Sequence, residues 1–138
     1  MNEFTIRIME ADAPVYSGNC ISLVIPTTEG MYGIQAHHSN LFAALSTGIM
    51  KLTMADGAER YLSVSGGMVK VENGEVLILA DSVEHAGEID ELRAEKEYSE
   101  AKQLLKTAST VAETRNAEAM MSRAINRIIL KKRYGEYK

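Results

Sequence analysis

The chain has 138 residues, 46% of them hydrophobic and 25% charged, with a formal net charge of −4 and one cysteine. That length suits a single ordinary domain or a small domain with an appendage, and the composition excludes disordered and collagen-like chains. Cys20 alone cannot form an intrachain disulfide, which points to a reducing compartment. Glu3, Arg7 and Glu10 interrupt any signal-peptide core, and nowhere does the sequence offer the roughly eighteen apolar residues of a membrane span. Membrane contact is therefore expected only through a partner.

The charge is unevenly spread. Residues 1–84 carry a net of −6, residues 85–100 a net of −4, and residues 101–138 a net of +6. Nine of the ten glycines lie in 1–87 and both prolines are early, so a β-rich body over 1–84 followed by a helical tail over 85–138 is the simplest division.

In the body, Phe4–Ile8 alternates apolar and polar residues, and Cys20–Ile25 is a β-branched run that Pro26 is expected to end. Ile49–Met54 and Glu59–Val64 flank Asp56-Gly57, while Met68–Val71 and Val76–Leu79 flank Asn73-Gly74, both dipeptides suited to tight hairpin turns. Gly66-Gly67 and the Gly30 to Gly33 segment are expected to mark further reversals. Strands recurring about every 8–12 residues predict an antiparallel β-sandwich or flattened barrel.

The tail changes period. Ala94, Tyr98, Ala101, Leu105 and Ala108 align on one helical face, and Ala117, Met121, Ala124 and Ile128 form a second stripe. Thr110-Val111-Ala112-Glu113 has the form of a capping box, so one helix is expected to end near Ser109 and another to begin near Thr110. Alanine-rich stripes bury little apolar area, which predicts a marginal hairpin suited to opening.

No catalytic constellation stands out. His37 and His38 point to opposite faces of an extended segment and lack further ligands at metal spacing, so no metal site is assigned. Cys20 lies in an apolar strand and reads as a buried thiol, and neither phosphate-cradling glycine motif is present. Asp12, Asp56 and Asp81 sit in turn-like contexts. Arg123 and Arg127, four apart, share a helical face able to meet phosphates or carboxylates, and Lys131, Lys132 and Arg133 follow at the helix end. The acidic balance, the absence of Trp and the lack of a groove-reading motif argue against nucleic acid.

Gly30-Met31-Tyr32-Gly33-Ile34 followed by His38 and Leu41, the Tyr61 to Gly67 run, and Ile89-Asp90-Glu91-Leu92-Arg93-Ala94 occur in an order that resembles the epsilon-subunit family of bacterial F-type ATP synthases. Gln35-Ala36 and Asn40 depart from the family's usual Leu-Pro and Pro in the first segment. The resemblance implies a non-catalytic rotor subunit, with a β-sandwich docking on the gamma subunit and c-ring and a mobile helical pair that extends into the alpha/beta hexamer to block ATP hydrolysis. It places the complex on the cytoplasmic face of the bacterial membrane, with the chain peripheral. It also implies ATP, with or without Mg, as a regulatory ligand that stabilises the folded hairpin, no cofactor being required. By motif match the ATP-binding residues are Glu84, Ile89, Asp90, Arg93, Ala94, Arg123 and Arg127. In that scheme the two tail arginines take phosphates, and Asp90 or Glu84 accepts from adenine or ribose, or pairs with Arg93. Glu100 stands where some ATP-binding members have a basic residue, which implies weaker binding. The inhibitory basic face comprises Arg115, Arg123, Arg127, Lys131, Lys132 and Arg133. A free-standing ATP-binding sensor module is the alternative reading.

Overall fold

A computed structural model describes residues 2–135; Met1 and residues 136–138, at the outer ends of the two expected units, lie outside the described residues. The body is a sandwich of two layers that share one long strand. Strand β2 (Ala13–Thr27) pairs through its first half with β1 (Phe4–Glu10), and through its second half with β3 (Gly30–Gln35) and β5 (Gly48–Met54). One layer runs β2-β1-β8-β7-β4, with β4 at Leu41–Leu45, β7 at Gly67–Glu72 and β8 at Glu75–Ala80. The other runs β3-β2-β5-β6-β9, with β6 at Glu59–Val64 and β9 at Val83–His85. A single pair, Thr27 with Leu45, joins β4 back to β2 and flattens the closure.

Period-two alternation sends every second side chain between the layers. Phe4, Ile6 and Ile8 of β1 meet Leu23 and Ile25 of β2, Met50 and Leu52 of β5, and Val69, Val71 and Ile78 of β7 and β8 in one continuous core. Each such side chain, fully buried, contributes about 1.5–3 kcal/mol.

Three expectations are corrected. The sheet is mixed, because β1 pairs with β8 in parallel from Thr5 opposite Glu75 to Glu10 opposite Ala80. The rest of the sandwich separates these two strands in the chain, so no tight turn dictates their relative direction. Pro26 lies inside β2 rather than ending it. Its carbonyl accepts from the Ser46 N–H at 3.0 Å, on the side away from β3, so the missing proline N–H removes no bond from that ladder. Gly33 is a mid-strand residue opposite Val24, not a reversal. The two hairpin dipeptides also differ from each other. Asn73 (φ 52°) and Gly74 (φ 78°) are both left-handed, as a two-residue primed turn requires, whereas the Asp56 carboxylate accepts from the Ala58 N–H at 2.9 Å and only Gly57 is left-handed.

The chain leaves β9 through a 3-10 turn at Ala86–Glu88 and forms helix α1 (Glu91–Thr107), then α2 (Val111–Tyr134). The Thr110 hydroxyl accepts from the Glu113 N–H at 3.1 Å, while the Glu113 carboxylate reaches the N–H of Ser109 at 3.4 Å. The reciprocal cap thus closes one residue earlier than the motif implies. Ala94, Ala101, Ala117 and Ala124 are all buried, and 94 and 124, like 101 and 117, are equidistant from Ser109. These small side chains let the antiparallel helices approach closely along one seam.

Only the C-terminal half of α2 grips the sandwich. Tyr61 and Ser63 of β6 face outward, yet both are buried, because α2 covers them. Tyr61, Ala86, Ile89 and Leu130 form a small second core, with Tyr134 stacked on Tyr61 at 3.7 Å between ring centroids. The Asn126 amide donates to the Gly48 carbonyl and the Ser63 hydroxyl, each at 2.8 Å.

Two outcomes follow from this packing. Cys20 is fully buried, which pushes its thiol up to about 11. Because an unfolded thiol titrates near about 8.5, the fold's preference for the neutral thiol is intact below that pH and is lost as pH rises. Through the folded value of about 11 the preference is gone. Iodoacetamide at pH 8 is expected to modify Cys20 no faster than global unfolding, as read by mass spectrometry; rapid native modification would contradict the burial. Asn126→Ala leaves the buried Ser63 hydroxyl and the Gly48 carbonyl without their donor, a change on the order of 1–3 kcal/mol. Faster amide exchange is expected in the C-terminal half of α2, with β1, β7 and β8 unchanged.

Candidate functional site

The residues singled out near 84–94 and 123–127 converge where the sandwich, α1 and α2 meet. Glu84 is on β9, opposite Ser63 of β6, so the sheet register fixes it beside the docked helix. Two residues later the chain turns, and within the Ile89–Ala94 segment most positions have a separate structural task, Leu92 being 79% exposed. Ile89 is buried in the second core. Asp90 caps α1, its carboxylate accepting from the backbone N–H of Arg93 at 3.1 Å. A negative charge also suits this end of the helix dipole. Ala94 lies fully buried in the alanine seam.

Arg127 is the centre of the cluster. Its side chain is 16% exposed and reaches two carboxylates from different elements. Towards the sandwich, Nη2 donates to Glu84 Oε2 at 3.1 Å. Nε lies 2.7 Å from Glu84 Oε1 but is too poorly aligned to donate, so that contact is electrostatic. Towards α1, Nη1 donates to Glu97 Oε2 at 3.0 Å. The other oxygen of Glu97 accepts from Arg93 Nε at 3.1 Å. Glu84, Arg127, Glu97 and Arg93 thus form an unbroken chain of alternating charge across three elements.

This geometry revises the expected pairings. Asp90 engages the backbone of Arg93, not its guanidinium, which turns to Glu97 instead. Arg123 and Arg127 do not share an environment, for Arg127 is turned into the junction while Arg123 is exposed and forms no ion pair among the described residues. The six basic residues of the tail are likewise divided. Lys131 donates to the Gly87 carbonyl at 3.4 Å and Lys132 lies 3.7 Å from Glu91, whereas Arg115, near the hairpin turn, Arg123 and Arg133 stay exposed. The sequence patterns above assign no role to Glu97 or Asn126. Glu97 is legible as the i,i+4 partner of Arg93 on a helix, and Asn126 lies between the two arginines without a motif of its own.

Nearby, the Tyr61 hydroxyl donates to Glu59. That bond is the main reason the Glu59 carboxyl lies below the ordinary glutamate range; desolvation opposes it, and Lys51 at 3.4 Å adds to the lowering. Far from the junction, His38 has both ring nitrogens engaged. Nδ1 donates to the Ser39 carbonyl at 2.7 Å, which leaves Nε2 to accept from the Tyr32 hydroxyl at 2.8 Å in the neutral ring. Among the described residues no three His, Cys, Asp or Glu side chains are grouped to hold a metal ion. Chemically, the junction can bind and orient charged groups; it holds no activated nucleophile.

Comparison with known proteins assigns the family. The beta-sandwich domain of the ATP synthase delta/epsilon chain matches residues 3–86, and the long alpha-helix domain of the same chain matches residues 88–130. An ATP synthase epsilon chain of Shouchella clausii is 35% identical over 135 residues, covering 98% of this chain and 99% of its own. One from Dichelobacter nodosus is 36% identical over 104 residues, covering 75% and 73%. In fold, a chain of the Euglena gracilis mitochondrial ATP synthase superposes with a TM-score of 0.80 at 21% identity, covering 90% of this chain and 78% of that one. A chain in the central stalk and c-ring structure of the Tetrahymena thermophila mitochondrial enzyme gives 0.61 at 16% identity, covering 92% and 95%. The two domain matches in series, with a relative matched almost end to end, establish that the chain belongs to the ATP synthase delta/epsilon chain family and is a non-catalytic epsilon subunit.

Proposed function

We propose that the chain works in the central stalk of an F-type ATP synthase, where its sandwich docks on the gamma subunit and c-ring and its helical tail acts as a releasable brake on ATP hydrolysis. The observation that carries this reading is the shallow attachment of the tail. A 17-residue helix and a 24-residue helix are held to the body by one small core, one amide and one guanidinium. Detaching these contacts leaves the main core untouched. Extended end to end, the helices reach about 60 Å at about 1.5 Å per residue, long enough to enter the alpha/beta hexamer.

The sandwich has a face suited to docking. Ala44, Met68 and Leu79 are adjacent in register across β4, β7 and β8, with Met9 completing the row on β1. Phe42 is 65% exposed beside this row and Met31 is 61% exposed on β3. A contiguous outward apolar row of this kind marks an interaction surface. No described helix is long and apolar enough to cross a membrane, which accords with a peripheral position on the cytoplasmic face of the bacterial membrane, reached through the complex.

ATP, alone or with Mg, is the regulatory ligand of this scheme. The donor set suits a polyphosphate, since Arg93 and Arg127 lie at one end of the hairpin on facing helices, with Arg123 one turn away on α2. A ligand confined to the compact tail shifts the population by RT ln(1 + [L]/Kd), about 2.7 kcal/mol at a hundredfold excess. Released, the basic side chains of the tail meet acidic groups on the catalytic subunits.

Truncation after Asp90 is expected to raise the hydrolysis rate of the assembled complex while its synthesis remains coupled; an unchanged rate would remove the brake. Calorimetric titration of the whole chain with ATP, with and without Mg²⁺, is expected to show saturable binding that Arg123→Ala weakens by at least about tenfold, as loss of one charge-assisted phosphate contact implies. Co-purification with a gamma subunit separates the stalk reading from a free-standing nucleotide sensor.

A further inference from the structure

Glu97 presents one carboxylate oxygen to each of two guanidiniums on facing helices, Oε1 to Arg93 at 3.1 Å and Oε2 to Arg127 at 3.0 Å. This is the geometry in which a phosphate group would bridge the same pair. Arg127 is held from the sandwich side by Glu84 as well, through contacts of 2.7 and 3.1 Å. The two guanidiniums differ in accessibility, the Arg93 side chain being 73% exposed and that of Arg127 16%. An incoming anion therefore meets Arg93 first, and the carboxylate it has to displace there is Glu97. With both carboxylates in place the four-residue chain is neutral, so the junction has no local excess of positive charge to draw a polyanion.

We propose that Glu97 is a built-in substitute for the phosphate ligand: it ties α1 to α2 in the absence of nucleotide and competes with a polyphosphate for Arg93 and Arg127. The proposal rests on the nucleotide reading above and adds its regulation, since the affinity for ATP is set by how readily Glu97 gives way. The tail then closes on its own ion pairs and ATP reinforces a closure that already exists.

The test uses the full chain carrying Glu97→Gln, with Glu95→Gln as control, because Glu95 is exposed on the same helix and makes no ion pair among the described residues. Each variant removes one negative charge, so a difference between them reports the bridge rather than net charge. Titration calorimetry with ATP and with inorganic tripolyphosphate is expected to show at least about fivefold tighter binding for Glu97→Gln, at the lower end of ordinary coupling between sites, and less than about twofold for Glu95→Gln. Amide exchange without ligand is expected to quicken in α1 and α2 of Glu97→Gln only, and tripolyphosphate is expected to restore protection. Saturable binding of equal strength in both variants would overturn the competition and leave the nucleotide reading standing. Unchanged exchange in Glu97→Gln would overturn the tie between the helices. Absence of binding to all three proteins up to millimolar concentrations would overturn both the competition and the nucleotide reading.

Discussion

One guanidinium touches all three parts of the molecule. Arg127 comes from α2, Glu84 from the last strand of the sandwich and Glu97 from the middle of α1, so a single side chain closes the hairpin and seats it on the body at once. Partly exposed ion pairs of this kind are modest in strength and screened by salt, but removing one partner from a half-buried guanidinium is unfavourable. The junction is therefore specific about geometry without being strong. That combination would suit the releasable tail proposed above.

The two cores divide the labour. The sandwich interior is a continuous core, mainly of branched aliphatic side chains, whose buried members come from eight strands, and no described residue of the tail contributes to it. The second core is small, and the seam between the helices is built from alanines that permit closeness while burying few methylenes. Stability is thus graded along the chain, highest in the body and lowest in the tail. Asp90 caps α1 from within the connection, through a contact local to the helix that does not involve the docking surface.

What could be read from the sequence was what depends on near neighbours. Asn73-Gly74 specifies its turn because both residues accept left-handed backbone, and the alanine stripes mark the seam because a helix repeats every 3.6 residues. The parallel pairing of β1 with β8 left no such trace, since it is imposed by the closure of the whole sandwich. Pro26 misled for a related reason, because its tolerance inside β2 depends on which neighbouring strand its nitrogen faces. At the junction, motif resemblance pointed to Arg127 and Glu84 but not to their contacts. Depth decides those, and nothing local distinguishes exposed Arg123 from half-buried Arg127. The Tyr61 to Val64 run alternates in character, yet all four residues are buried, because a helix distant in sequence supplies the second cover.

That second cover has a consequence for how the molecule behaves away from its complex. If α2 lifts off, the outer face of β6 is left wet, with Tyr61, Ser63 and neighbouring Ile49 uncovered beside Ala86 and Ile89. The lifted state therefore carries a fresh apolar patch on the body as well as a bare alanine seam on each helix. In dilute solution such a species is driven either to refold or to adhere to another copy. In the extended form proposed above, only a scaffold offering the helices an alternative groove would cover both surfaces, so release without one would favour return to the docked arrangement.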